Sequence, residues 1–272
     1  MPHISYSAFK NWYKCPFYHK LVNIDKVTEF QGSIHTAFGS AVHSVNELLV
    51  SENVKPSELS MERSKIDSFF KEQFKKELKT IPEEAIRKLK SDSKTKALLK
   101  DMFVKGGDLS ILSVKQLHKQ FPGFKVCSVE EDLFEPIKNC HDLKYDFKGF
   151  IDLIFETPDG IRHVVDWKTS SWGWDARKKA DKLITYQLTY YKHFYADKHN
   201  LATKDIQVHF GLIKRTAKKN QIEIFEVPCG EIKIKNALKV LHEAVYNIDR
   251  KNFIKNRLEC AKCEFNQTKW CP

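Results

Sequence analysis

The 272-residue sequence contains no apolar run that approaches the ~20 residues needed to cross a membrane. Its first residues, Met1-Pro2-His3-Ile4, also lack the apolar core of a secretory signal. Both absences argue against a membrane protein and against export. We therefore expect a soluble protein located in the cytoplasm.

A phosphate-binding Gly-x4-Gly-Lys-Ser/Thr loop is also absent, which excludes a motor ATPase of that class within this sequence. Internal repeats and low-complexity tracts are missing as well. Hydrophobic residues make up 42% and aromatic residues 12% of the chain, which favours a folded core over disorder. The 46 Lys and Arg against 35 Asp and Glu give a net charge of +11. This surplus favours a polyanionic partner such as nucleic acid.

The hydrophobic periodicity changes from helical to strand-like after Gly123. The main predicted helices cover residues 38–50, 56–118, 183–195 and 234–248, after a short first helix capped by Ser5 or Ser7. The predicted strands cover residues 125–135, 145–156, 161–169, 206–214 and 221–227. This order predicts one α/β domain over residues 1–272, with a mixed central β-sheet flanked by helices.

Residues 52–120 are interpreted as a helical, basic insertion within that domain. Its main cations are Arg87, Lys88, Lys90, Lys94, Lys96, Lys100 and Lys105. Such a charge run is typical of a solvated helix face, but it also suits a flap over a nucleic-acid groove. Both interpretations stay open at the level of sequence.

Charged residues interrupt two of the predicted strands. Asp152 stands in the apolar run 149–154, where burying an unpaired carboxylate is costly. Asp166 and Lys168 follow on the next strand, and the period of two places them on one face. If the two strands form a hairpin, the carboxylates converge and can bind Mg²⁺ or Mn²⁺. Taken alone, Asp166 and Lys168 indicate no more than a surface salt bridge.

Further motifs accompany these residues in a fixed order. They are Ser7-Ala8-Phe9-Lys10-Asn11-Trp12-Tyr13-Lys14-Cys15-Pro16, Gly39-x3-His43, Gly149-x2-Asp152, Asp166-x-Lys168-Thr169 and Gln187-x3-Tyr191. The combination resembles the PD-(D/E)XK nucleases of the RecB type, which include the RecB and AddB nuclease domains and the iron–sulfur CRISPR spacer-acquisition exonucleases. The serine of the first motif is one place closer to Trp12 than in the family. The resemblance spans residues 6–271 apart from the insertion.

The resemblance implies a restriction-endonuclease-like αβββαβ core and a metal-dependent active site. It implies that His43, Asp152 and Asp166 bind Mg²⁺ or Mn²⁺, with the carbonyl of Trp167 as a further ligand. Lys168 would be the catalytic lysine beside the two aspartates. On this interpretation the enzyme hydrolyses phosphodiester bonds with the help of the cation.

The resemblance also places Gln187 and Tyr191 near the DNA. Arg177, Lys178 and Lys179 follow the end of a predicted strand close to the active site, and we predict that they contact phosphates. Either Glu130 or Glu131 is a further candidate to face the site.

The cysteines form a second candidate metal site. Cys260, Cys263 and Cys271 crowd the cysteine-rich tail 258–272, and clustered thiols in a cytoplasmic protein favour a metal over disulfides. Cys15 is the best candidate for a fourth ligand, since several RecB-type nucleases close a [4Fe-4S] cluster with one early and three late cysteines. Zinc is the alternative metal, and reduced cysteines without a metal are a third interpretation.

Together these expectations predict a DNA exonuclease that acts at DNA ends or on single strands. The resemblance suggests recombination, repair or phage DNA processing, in a bacterial cytoplasm or that of a phage-infected host. A separate helicase or recombination protein would supply any unwinding. A structure-specific endonuclease on the same core and a non-catalytic iron–sulfur DNA-binding subunit are the alternatives.

Overall fold

The computed structural model describes residues 2–27, 32–82, 92–140 and 142–272. Its helices are α1 (Tyr6–Lys14), α2 (Pro16–His19), α3 (Ile34–Ser51), α4 (Pro56–Met61), α5 (Arg63–Leu78), α6 (Ser93–Gln120), α7 (Ala176–Ala180), α8 (Lys182–His199) and α9 (Glu231–Asp249). Its strands are β1 (His3–Ser5), β2 (Lys125–Pro136), β3 (Asp146–Glu156), β4 (Arg162–Ser170), β5 (Ile206–Lys214) and β6 (Ile222–Glu226). The predicted fold class, a mixed sheet flanked by helices, is confirmed.

The six strands form one sheet with both parallel and antiparallel pairs. One edge of β3 pairs antiparallel with β2 along its whole length. The other edge pairs with β1 at residues 146–148, in parallel, and with β4 at residues 153–156, antiparallel. Beyond β4 the order continues with β5, in parallel, and β6, antiparallel. The hairpin between β3 and β4 has the predicted turn at residues 157–160.

Helices cover both faces of the sheet, so the core has two layers. On the first face, α3, α5 and α6 pack together through aromatic rings such as Phe38, Phe70 and Phe74. On the second face, α1, α8 and α9 pack through Phe9, Tyr190 and their neighbours. Burial of this apolar surface is the main force that holds the helices on the sheet.

The alternation of side chains in β3 changes phase at Asp152. Phe147 and Ile151 belong to the core layer on the second face, whereas Leu153 belongs to the layer on the first face. In a regular strand all three would share one face, because the side-chain period is two. The neighbouring strand β2 is distorted at the same level, where Glu130 has a φ of 48°. The sheet is therefore irregular at the position of this aspartate.

The described residues of the predicted insertion are helical, and they pack as part of the first core layer. Phe70 and Phe74 of α5 contact Phe38 of α3, so this segment covers the sheet. Several of its charges are paired, as in the bidentate contact of Arg63 with Asp108. Arg87, Lys88 and Lys90 lie outside the described residues.

Differences from the predicted elements are confined to their ends and to short pieces. Helix α3 begins at Ile34 instead of residue 38, because Ser33 and Thr36 form a reciprocal capping box that starts it earlier. The three-residue strand β1 and the short helix α7 were not predicted, since pieces this short carry almost no periodic signal. Among the described residues, no helix is both long and apolar enough to span a membrane.

Candidate active site

Strands β3 and β4 separate at Asp152 and form a fork in the sheet. The two strands pair up to Leu153 and Val165, and beyond this point β4 pairs only with β5. No strand among the described residues pairs with this edge of β3 between residues 148 and 153. The backbone N–H of Trp167 donates instead to Asp152 Oδ2 at 2.6 Å. The Asp152 carboxylate thus takes the place of a strand partner at the fork.

Asp166 lies beside the fork, on the second face of the sheet, and is 2% exposed. Its Oδ1 accepts a hydrogen bond from Gln187 Nε2 at 2.8 Å, and its Oδ2 forms an ion pair with Lys168 Nζ at 2.6 Å. Gln187 also donates to Tyr191 Oη at 3.1 Å. Gln187 and Tyr191 were predicted to lie near the DNA. In the structure they form a hydrogen-bonded support for the Asp166 carboxylate.

Two glycines allow helices to approach the fork closely. A Cβ on Gly39 of α3 would lie 3.1 Å from Thr169 Oγ1, and a Cβ on Gly149 of β3 would lie 2.8 Å from Tyr191 Cε1. Side chains at these positions would push α3 away from β4 and the ring of Tyr191 away from β3. The structure thus gives a packing reason for the glycine in two of the sequence motifs.

His43 lies one turn after Gly39 on α3. Its Nδ1 is 3.5 Å from Asp152 Oδ2. Burial and the positive charge of Lys168 lower the pKa of His43 to about 4, against the opposing effect of Asp166. The imidazole is therefore neutral near pH 7, the state in which it can ligate a metal.

Glu47 and Glu130 add two further carboxylates to this site. Both line a small cavity together with His43, Asn46 and Asp152. Burial, reinforced by the charges of Asp152 and Glu47, raises the pKa of Glu130 to about 7. Of the two glutamates considered at the sequence level, Glu130 lies at the fork. Its alternative, Glu131, binds Lys198 and His199 elsewhere on the surface.

Glu47 was not predicted at the site. It stands four residues after His43 on one helix, and this spacing places the two side chains on one face. No sequence pattern predicts that the Glu130 side chain points to the fork, because its direction depends on the left-handed backbone at that residue.

The fork holds more negative charge than its one lysine neutralises. Burial raises the pKa of Asp152 and of Asp166 to about 6 each, although Lys168 opposes both shifts. Burial alone would lower the pKa of Lys168, but Asp166 and Asp152 raise it, so the lysine stays charged. A second cation would relieve the remaining repulsion among the carboxylates.

The carboxylates at the fork suit Mg²⁺ or Mn²⁺ by chemical type, since carboxylate oxygens are the usual protein ligands of both cations. In the described part of the chain, however, no three His, Cys, Asp or Glu side chains are grouped closely enough to hold a metal. Asp166 Oδ2 accepts no hydrogen bond in addition to its ion pair with Lys168. Because a carboxylate oxygen has two lone pairs, Oδ2 could also bind a cation beside Lys168.

The cations predicted to contact DNA fall into two groups. Arg177 and Lys178 are exposed on α7, whereas Lys179 forms an ion pair with Glu223.

A further cation near the site, Lys10 of α1, was not predicted. Burial and the charges of nearby lysines, Lys168 and Lys178 among them, lower its pKa. Asp181 opposes this shift, so Lys10 adds a partly compensated positive charge near Lys168.

The four predicted cluster ligands line one cavity. Cys15, Cys260, Cys263 and Cys271 surround it together with apolar side chains such as Phe17 and Leu21. All four are free thiols. Cys15 Sγ accepts a hydrogen bond from the backbone N–H of Asn256 at 3.3 Å, and Asn256 Nδ2 donates to the Lys14 carbonyl at 2.7 Å. These contacts join the first and last parts of the chain, but no metal-binding geometry is present among the described residues.

Comparison with protein families gives one match. The profile of the PD-(D/E)XK nuclease superfamily matches residues 3–272. No curated protein matches the sequence.

A solved structure shares the fold. A crystal structure of a "putative exonuclease" from Eubacterium rectale aligns with a TM-score of 0.51 and 14% identity, over 96% of this chain and 83% of that one. A structure of the protein SSO0001 aligns with a TM-score of 0.36 and 18% identity, over 66% of this chain and 78% of that one. The first likeness, at this identity, supports the fold alone, and the second supports no conclusion.

Proposed function

The chain belongs to the PD-(D/E)XK nuclease superfamily, and on this premise we propose that it is a divalent-metal-dependent DNA exonuclease. The observation that carries the proposal is the convergence of four motif residues on the fork in the sheet. Asp152, Asp166, Lys168 and His43 come from three separate elements, and the hydrogen bonds and close packing described above bring them together.

Each of these residues has a distinct role in the proposed reaction. His43, Asp152 and Asp166 would hold Mg²⁺ or Mn²⁺, with the Trp167 carbonyl as a further ligand. When bound, the cation would polarise the phosphate and favour deprotonation of the attacking water. Lys168, kept charged by its carboxylate neighbours, would orient that water and neutralise charge that develops on the phosphate.

The substrate is proposed to be a DNA end or a single strand. Arg177 and Lys178 are exposed cations that can contact its phosphates, and Lys10 lies near Lys168. We assign the chain to the RecB and AddB type by its motif order. A role in bacterial or phage recombination or repair follows from that assignment, with a separate helicase as partner.

Digestion of end-labelled linear DNA tests this proposal. We expect the wild type to degrade single- or double-stranded DNA only with Mg²⁺ or Mn²⁺, and Lys168→Ala to lose this activity. Lys198→Ala is a matched control, since both lysines are paired and their side chains are 32% and 33% exposed. Equal activity of Lys168→Ala and the wild type would refute the assignment of the site.

A covalently closed circular DNA separates the two nuclease types. An exonuclease needs an end and leaves the circle intact, whereas a structure-specific endonuclease opens it. Loss of the circle under the same conditions would replace the exonuclease assignment with the endonuclease. Binding without any cleavage would favour the non-catalytic DNA-binding subunit.

We further propose that Cys15, Cys260, Cys263 and Cys271 hold a [4Fe-4S] cluster, which would link the two ends of the chain. The shared cavity and the amide hydrogen bond to Cys15 support this assignment. Anaerobic purification should give a protein with a broad absorption band near 400 nm, roughly the region of iron–sulfur charge transfer. Cys263→Ser should lose it, and Cys127→Ser, an exposed thiol elsewhere, should keep it. A colourless protein that contains zinc would support the alternative metal.

A further inference from the structure

Trp172 is an exposed aromatic residue just beyond β4, the strand that carries Asp166 and Lys168. It lies two residues after the end of β4, and 71% of its surface is exposed. Its neighbours in sequence behave differently: Trp167 is buried, and Trp174 packs its ring against Phe210 and Phe225. The loop therefore packs one of its two tryptophan rings against the core and leaves the other in solvent.

The backbone that carries Trp172 is fixed on both sides. The N–H of Arg215 donates to the Ser170 carbonyl at 2.9 Å, and the N–H of Thr216 donates to the Ser171 carbonyl at 3.0 Å. The Ser170 hydroxyl donates to the carbonyl of Trp172 itself. The buried guanidinium of Arg215 forms an ion pair with a side chain of α6. This ion pair holds in place the segment to which the loop is hydrogen-bonded. An aromatic ring on a support of this kind loses little conformational entropy when it binds a ligand.

Two lysines lie beside the loop that carries this ring, although the ammonium group of Lys214 is itself paired with Glu223. The side chain of Lys214 passes so close to the loop that a Cβ on Gly173 would lie 3.1 Å from its Cδ. The ammonium group of Lys178 lies 4.8 Å above the ring of Trp174. A basic surface with an exposed aromatic face is the arrangement that binds single-stranded nucleic acid through phosphate contacts and base stacking.

The loop is also within reach of the reaction centre. Trp172 stands four positions after Lys168, so their Cα atoms are at most ~14 Å apart. A strand whose phosphate lies at Lys168 can therefore bring a base one or two nucleotides away to the ring. In a duplex the neighbouring base pairs cover both faces of each base, so only an unpaired nucleotide offers a free face.

We propose that Trp172 stacks on an unpaired base of the strand that is cut, and that the enzyme thereby selects single-stranded DNA or a frayed end over intact duplex. This inference rests on the proposed nuclease function, whose substrate it narrows. Trp172 acts in it as a specificity-determining residue, and the chemistry stays with the residues of the fork.

Binding can be measured without cleavage, in full-length Lys168→Ala protein with a labelled 12-nucleotide single strand and with the matching blunt duplex. We expect Trp172→Ala to weaken single-strand binding about tenfold, the size of effect seen when a stacked base loses its aromatic partner, and to change duplex binding less than twofold. Trp172→Phe retains an aromatic face and should restore most of the affinity. Trp270→Ala is the matched control, since Trp270 is 46% exposed in the cysteine-rich tail.

Intrinsic fluorescence gives a second readout, because stacking on a base quenches tryptophan emission. The single strand should quench the protein that carries Trp172 and have much less effect on Trp172→Phe. Unchanged single-strand affinity in Trp172→Ala, or an equal loss for single strand and duplex, would overturn the inference.

The same experiment separates this inference from the proposed function. Wild-type cleavage combined with binding that does not depend on Trp172 refutes the stacking role alone. Single-strand binding that depends on Trp172, in a wild type that cleaves no DNA with either metal, refutes the nuclease and supports the stacking surface.

Discussion

The two ends of strand β4 both bury groups that can carry charge, but they do so in opposite ways. At one end, His163 Nδ1 lies 3.0 Å from His209 Nε2 of β5, and both rings are almost fully buried. At the other end, Asp166 is equally buried and forms an ion pair with Lys168. The same sheet thus buries neutral rings at one end and a charged pair at the other.

At the histidine end of β4, which holds His163 and His209, the surroundings favour neutral rings. His163 stacks on Phe155 at an interplanar angle of 10°, and Phe121 contacts both histidines. Burial lowers the pKa of both histidines, and that of His209 to about 3. Both rings are therefore uncharged at neutral pH, and the region behaves as ordinary core.

The fork keeps its charges although they are costly to bury. Apolar residues of similar size would satisfy the fold at least as well, because a buried ion pair adds little net stability. Clustered carboxylates with raised pKa values, next to a charged lysine, are characteristic of reaction centres. This difference agrees with our proposal that the residues at the fork serve chemistry, whereas the histidine pair packs as core.

The largest expected effect comes from Asp166→Asn at the fork. The amide cannot replace the carboxylate as a metal ligand or as the partner of Lys168, so we expect cleavage to fall by roughly 10³-fold. The free energy of unfolding should change by about 1 kcal/mol or less, since the lost ion pair is offset by reduced repulsion with Asp152. Cleavage assays and thermal unfolding of the same samples measure both quantities.

The histidine end provides the reverse control. His209→Gln should leave cleavage close to that of the wild type and should lower stability, because it disturbs the packed ring pair. If His209→Gln abolished cleavage, or Asp166→Asn unfolded the protein, the division of roles between the two ends would be wrong.

A smaller effect is expected from Gly149→Ala. The added Cβ would lie 2.8 Å from Tyr191 Cε1, so the ring and its hydrogen bond to Gln187 must move. We expect a loss of about 1–3 kcal/mol in stability from overpacking. A tenfold fall in kcat should accompany it because Gln187 supports Asp166. Gly230→Ser is the control, since a Cβ there has nothing within 4 Å. A tolerated Gly149→Ala with full activity would show that this support is dispensable.

Much of this site was predictable from sequence because strands and helices impose fixed periods. The alternation in 145–156 and 161–169 predicted the hairpin. The motifs and their order predicted that Asp152, Asp166 and His43 lie in one site. The pairing of Gln187 with Tyr191 followed from their four-residue spacing on one helix.

The remaining features depend on tertiary contacts that no local pattern records. Glu130 faces the fork through a backbone at φ 48°, in a strand that would otherwise direct it elsewhere. Lys10 reaches the site because α1 packs beside it, and the exposure of Trp172 depends on a loop fixed to β5. The hydrogen bond of Gln187 to Asp166 was not predicted either, because it joins two elements that are distant in sequence.

The pH dependence of stability provides the third test, at the histidine end. The pKa of His209 is about 3 in the folded protein and about 6.5 in an unfolded chain, so folding favours the neutral ring. Its contribution is complete above pH 6.5 and is lost as the pH falls below that value. Between pH 6.5 and 5 we expect a loss of about 2 kcal/mol, which His209→Gln should remove. Thermal unfolding measures it, with the exposed His35→Gln as control. An unchanged acid response in His209→Gln would contradict this account.

The smallest expected effect concerns Lys10, a partly compensated cation near Lys168. Burial and its lysine neighbours lower its pKa, and it forms no ion pair within the described part of the chain, so an incoming phosphate is a favourable partner. We expect Lys10→Gln to weaken DNA binding about threefold at low salt and to reduce the slope of log affinity against log salt by about one unit. Stability should rise slightly, because repulsion with Lys168 is removed. Lys235→Gln, an exposed lysine on α9, should change none of these. If both variants gave the same salt slope, Lys10 would be a surface charge like any other, and the contrast between the two ends of β4 would rest on Asp152, Asp166 and Lys168 alone.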